Sequence, residues 1–201
     1  TLVALTNAND NNSYTITISD ASITATDLNT LDAATNGVID ASDIQVITSS
    51  INNINTAYAS NGITGLGNTA ITLSDSTLIA SDLNTLDSAT NGEIDASSVQ
   101  TITGSIDDIN TAYASNSITG LGDEAVTVTS TSSISDLNTL DGSTTGVITA
   151  TISQLDLTLL TDQNENNNYI VEFNNPSITA SSLNTLDAAK TTALNASSIS
   201  T

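Results

Sequence analysis

Oxygen donors at alternate positions are the most conspicuous chemical pattern in this chain. Asp162, Asn164 and Asn166 form one such series, and Asn7, Asn9 and Asn11 form its counterpart 155 residues earlier. Hard cations take several carboxylate and carbonyl oxygens from a tight turn, so Ca²⁺ is the ion this spacing would suit. The same stretches also read as plain Asn-rich turns. The glycine expected after the third donor is Asn167 in one series and Asn12 in the other, and no bidentate Glu follows. A second pattern is a set of recurring aspartates: Asp32, Asp87 and Asp141 close a common phrase, and Asp40 and Asp95 share another. Stacked with Tyr58 and Tyr113 between them, the first three would alternate carboxylate with phenol. That alternation keeps like charges apart, or lets cations bridge the carboxylates.

Catalysis finds no such foothold. The chain has no His and no Cys, and Lys190 is its single basic residue. Serine and cysteine triads need an adjacent base, which is missing. Carboxylates that recur in every unit are poor candidates for a unique acid–base pair. The expectation is that the chain is not an enzyme. With 22 acidic side chains and a net charge of -21, nucleic-acid phosphate and anionic membranes are repelled. No apolar run is long enough to span a bilayer, so membrane insertion is not expected. The absence of cysteine removes disulfides and thiolate metal sites.

The elements that must position these residues come from repetition. Residues 16–70 lie over residues 71–125 without a gap, identical at 38 of 55 positions. Residues 1–46 lie over residues 156–201 with 21 of 46 identical. Fixed self-similarity is the sign of repeat architectures, in which each unit buries its apolar face against its neighbours. Residues 1–155 therefore read as one super-repeat and 156–201 as the start of the next, continuous and without a flexible linker. The phrase Leu28-Asn29-Thr30-Leu31-Asp32 returns at 83–87, 137–141 and 183–187, with the variant Ile54-Asn55-Thr56-Ala57-Tyr58 and its copy at 109–113 in between. From Asn29 to Asn138 its asparagine recurs every 26 to 29 residues.

Each unit follows one grammar. A short alternating stretch such as Ile71-Thr72-Leu73-Ser74 reads as a strand. Thr26, Ser81, Ser135 and Ser181 stand where a helix N-cap belongs, with Asp82 in the first turn after Ser81. Leu83 and Leu86, three apart, share one helix face over about two turns. Asn36-Gly37, Asn61-Gly62 and Asn91-Gly92 stop these helices, the glycine taking a left-handed conformation. Glu93 replaces Val38, so that position faces water while Ile39 and Ile94 face inward. Such helices are too short to stand alone. The expected fold is mainly β: a right-handed parallel β-solenoid of about seven coils, 26–29 residues each, with one short helix per coil.

The phrases at 80–87 (Ala-Ser-Asp-Leu-Asn-Thr-Leu-Asp), 92–97 (Gly-Glu-Ile-Asp-Ala-Ser), 108–115 (Asp-Ile-Asn-Thr-Ala-Tyr-Ala-Ser) and 118–125 (Ile-Thr-Gly-Leu-Gly-Asp-Glu-Ala) resemble the repeats of giant secreted surface proteins of marine picocyanobacteria. That group includes a swimming-motility surface protein, and related repeats adjoin hemolysin-type calcium-binding segments. The resemblance covers residues 16–150. It implies export, a cell-surface or matrix location and Ca²⁺, and it brings no catalytic residues; the glycine-rich calcium nonapeptide is absent. The expected function is a structural extracellular repeat protein forming a fibre or surface scaffold, with further copies of itself, in tandem or head to tail, as partners. The alternatives are the stalk of a calcium-dependent adhesin and a phage or injection-system fibre.

Overall fold

A computed structural model describes residues 13–152 and 167–171. The paired Asn-rich series, at 7–11 and 162–166, lie outside them, as does most of the 156–201 segment.

Strands and helices alternate along the chain. The order is β1 (Ile16–Thr17), β2 (Ser22–Thr24), α1 (Ala25–Ala34), β3 (Ile39–Asp40), β4 (Val46–Ser49), α2 (Ile51–Ala59), β5 (Ile63–Thr64), β6 (Ala70–Leu73) and β7 (Thr77–Ile79). Then follow α3 (Ala80–Ala89), β8 (Ile94–Asp95), β9 (Thr101–Gly104), α4 (Ile106–Ala114), β10 (Ile118–Thr119), β11 (Ala125–Ser132), α5 (Ile134–Asp141), β12 (Ile148–Ile152) and β13 (Asn168–Val171). The helices start earlier than expected. Thr24, not Thr26, caps α1: its hydroxyl accepts from the Asp27 N–H at 3.1 Å and donates to the Asp27 carboxylate at 2.8 Å. Ser133 and Asp136 repeat this exchange at α5. An Asp three residues after the cap reaches back to it, a carboxylate version of the capping box, and its charge suits the helix N-terminus.

The strands form three sheets of three, five and five strands, in the orders β1-β3-β5, β10-β8-β6-β4-β2 and β13-β12-β11-β9-β7. Every described pairing is parallel. The chain divides into two compact units: residues 1–78, 82–99 and 115–120 make the first, and residues 79–81, 100–114 and 121–201 the second. The first unit holds the first two sheets. Ile16, Ile39 and Ile63 stand side by side in one. Ile23, Ile47, Ile71, Ile94 and Ile118 do so in the other. Ile39, Ile47 and Ile94 are fully buried, as are Leu28 and Ile54 of α1 and α2. In the second unit Ile102, Val126 and Ile148 continue the pattern, and Tyr169 of β13 sits beside Ala150. β7, whose Ile79 belongs to this unit, forms the edge of that sheet.

The expectation of a mainly β, right-handed parallel β-solenoid of seven coils is overturned. The chain is mixed α/β: the five described helices, of eight to ten residues, hold as many residues as the strands, most of which are two to four residues long. Buried Leu and Ile at helical spacing carry the helices beyond the two turns expected, with capping Asp27 and Asp136 in the first turns of α1 and α5. The 26–29 residue coil is also replaced. Neighbouring isoleucines in the first unit pair at separations of 23 or 24 residues, shorter than the distance between recurring phrases. Two such steps cover less than the 55-residue sequence repeat. Positions equivalent in sequence therefore change sheets: Ile16 lies in the first, Ile71 in the second and Val126 in the third.

The Asn-Gly turns differ from expectation too. Among the described glycines only Gly65, Gly120 and Gly122 have positive φ. Gly92 is required for another reason: a Cβ there would drive into the Thr69 carbonyl, and at Gly37 into that of Tyr14.

Candidate functional site

The recurring aspartates sit at the ends of helices, and each is met by a side chain from a later turn. Asp32 lies in the last turn of α1, where the helix dipole disfavours a negative charge. The Ser60 hydroxyl donates to its Oδ2 at 2.7 Å. Asp87, in the last turn of α3, accepts from Ser115 Oγ at 3.0 Å and from Ser117 Oγ. Asp141, the final residue of α5, accepts from Asn167 Nδ2 at 2.8 Å. That pair is buried, with Asp141 2% and Asn167 0% exposed. Asn167 Oδ1 in turn accepts from the Ile148 N–H at 2.8 Å.

Asp40 and Asp95 serve a different local role. Each carboxylate turns back on its own loop to accept the backbone N–H of Ser42 or Ser97, at 3.1 and 3.0 Å. Hydrogen bonds from those serines, side chain first and backbone second, hold both carboxyls below the ordinary value of 3.8. Gly65 and Gly120 pass directly over these loops, and a Cβ on either would lie 2.5 or 2.6 Å from the Ser42 or Ser97 nitrogen. Their left-handed φ of 91° and 81° fits only glycine comfortably.

The phenols do not join the carboxylates. Tyr58 donates to the Leu66 carbonyl at 2.9 Å, with Thr90 Oγ1 at 3.4 Å. Burial pushes its hydroxyl pKa above 10.0, partly offset by Thr90. The Tyr113 hydroxyl, its sequence equivalent, is buried without a partner. No three acidic side chains converge on a common point among the described residues. Asp32, Asp87, Asp141, Asp40 and Asp95 thus stand as separate hydrogen-bonded carboxylates there, while Asp162, Asn164, Asn166, Asn7, Asn9 and Asn11 lie outside the description.

Sequence reasoning used the recurring asparagine only as a marker, yet it has a structural task. Asn29 Nδ2 of α1 donates to the Asn53 carbonyl of α2 at 2.9 Å. Asn55 of α2 donates to the Asp82 carbonyl of α3, and Asn110 of α4 to the Asp136 carbonyl of α5. Each asparagine ties its helix to the first turn of the following one. Its invariance within the phrase, beside a buried leucine or isoleucine, was the available signal. Glu124 was also overlooked. It is 2% exposed, and its Oε2 accepts from the Gly122 and Asp123 N–H groups at 2.9 and 3.2 Å.

Comparison with protein-family models, with curated proteins and with solved structures gives no match. Among the described residues no helix is long and apolar enough to cross a membrane.

Proposed function

We propose that this chain is a structural repeat protein, a segment of an extracellular scaffold whose partners are further copies of itself. The observation that carries this reading is how the polar side chains are used. Ser, Thr, Asn and Asp groups that could bind or react instead cap helices, close turns and bridge consecutive elements. The sheets grow by adding strands in parallel register, and the second sheet ends on β2 and β10. Strand edges are templates for pairing, which gives repeated units a way to join. The acidic surface, with one Lys in 201 residues, would keep such material soluble and apart from nucleic acid.

Ca²⁺ belongs to this proposal as a screening or bridging ion, through the Asn-rich series or the part-exposed Asp32, Asp40, Asp87 and Asp95. Light scattering and negative-stain micrographs of the purified chain, with and without Ca²⁺ at constant ionic strength, test the reading. Concentration-dependent, end-to-end particles are expected. A monodisperse monomer at all concentrations in both conditions would overturn self-assembly, and identical behaviour with and without the ion would remove Ca²⁺ from it.

A further inference from the structure

We propose that Asn36, Asn61 and Asn91 are latent deamidation sites held unreactive by the helix-ending hydroxyls of Thr35, Ser60 and Thr90. Asn-Gly is the dipeptide most prone to this reaction, because glycine leaves the attacking nitrogen unhindered. The Gly amide nitrogen gives up its proton and attacks the Asn Cγ. The new C–N bond closes a succinimide as the side-chain nitrogen leaves as ammonia, and water then opens the ring to Asp or isoaspartate. All three asparagines are exposed, so burial does not protect them.

The turn does. Gly37 N–H donates to Thr35 Oγ1 at 3.0 Å, Gly62 N–H to Ser60 Oγ at 2.9 Å and Gly92 N–H to Thr90 Oγ1 at 2.9 Å. The proton that must leave is therefore engaged at every site. The hydroxyls are anchored in their turn. Thr35 Oγ1 donates to the Tyr14 carbonyl at 2.8 Å and Ser60 Oγ to Asp32 Oδ2 at 2.7 Å, while Thr90 Oγ1 lies 3.4 Å from the Gly67 carbonyl. The glycines also lack room to move, since even a methyl group on Gly37 or Gly92 would collide with a neighbouring backbone carbonyl, and on Gly62 with the Asp32 carboxylate. Each conversion would add a negative charge to a chain already at -21, and isoaspartate would lengthen the backbone inside a tight turn. The inference is independent of self-assembly.

Site-resolved mass spectrometry after incubation in warm, mildly alkaline buffer provides the test. The native chain should deamidate far more slowly than the urea-unfolded chain at all three sites. Thr35→Val should raise the rate at Asn36 about tenfold, the equivalent of one ~1.4 kcal/mol hydrogen bond, and leave Asn61 and Asn91 unchanged. Ser60→Ala should act in the same way at Asn61 alone, and Thr35→Ser should keep the parent rate. Equal rates in native and unfolded chains would overturn the proposal. So would a uniform rise at all three sites in both T35V and S60A, which would assign the protection to the fold as a whole.

Discussion

Replacing Asn167 by Ala should destabilise the chain more than any other single polar change discussed here. The side chain is fully buried and serves two partners at once, donating to Asp141 at 2.8 Å and accepting from the Ile148 N–H at 2.8 Å. Asp141 is itself buried, at the end of α5 where the helix dipole opposes its charge. Losing a hydrogen bond to a charged group costs about 1.5–3 kcal/mol, and orphaning a buried N–H about 1–3 kcal/mol. The two together come to roughly 2.5–6 kcal/mol, a large share of the ~5–15 kcal/mol that stabilises a typical domain. The melting temperature should fall by about 10 °C. Asp141→Asn is the control: an amide can still accept from Asn167, so its cost should stay below about 1.5 kcal/mol. Urea titration gives the free energies, and hydrogen exchange at the Ile148 amide reports the site directly. If N167A loses less than about 1 kcal/mol, or Ile148 keeps its full protection, Asn167 does not anchor the Ile148 amide and the Asp141 carboxylate.

Three further outcomes follow from the same geometry. Tyr58→Phe removes a hydrogen bond to the Leu66 carbonyl and should cost about 1 kcal/mol, whereas Tyr113→Phe removes an unpartnered buried hydroxyl and should be neutral or slightly stabilising; equal costs in thermal melts would contradict the difference. Gly65→Ala should lose about 1–2 kcal/mol or more, because its φ is 91° and the Cβ meets the Ser42 nitrogen, while Gly67→Ala, with open space around it, should be tolerated. Asp40 and Asp95 titrate below the ordinary 3.8 in the fold, so their contribution is complete above about pH 4 and is lost as the pH falls through the lower folded value. Above that window, acidification relieves self-repulsion of the -21 charge, so the melting temperature should rise from neutral pH to about 4 and then drop. The double variant D40N/D95N should flatten the drop, and an unchanged acid limb would rule these residues out as its source.

Inward and outward positions were legible in the sequence. Val38 is 44% exposed while Ile39 and Ile94 are fully buried, as alternation required, and Leu83 and Leu86 share the buried face of α3. The class of fold was not. Short apolar runs look alike in strands and in buried helix segments. The Leu-Asn-Thr-Leu-Asp phrase carries the right spacing for a helix but says little about its length. The caps were misplaced by two residues for a definite reason. Thr24 and Thr26 are both good caps, and what selects Thr24 is the Asp27 side chain returning to it. The role of Gly37 and Gly92 was hidden as well, because a glycine required by a neighbouring carbonyl looks the same in sequence as one required by its own φ.

The sequence repeat reads as a row in which Asp32, Asp87 and Asp141 alternate with Tyr58 and Tyr113. The structure adds a partner for each aspartate, a hydroxyl or amide arriving 26 or 28 residues later: Ser60 for Asp32, Ser115 for Asp87 and Asn167 for Asp141. In a chain with a single basic residue against 22 acids, neutral donors are the means of holding the buried or half-buried carboxylates among the described residues. The same arrangement explains why many acids yield no convergent cluster among the described residues: hydrogen bonds that fix turns hold each carboxylate at its own station.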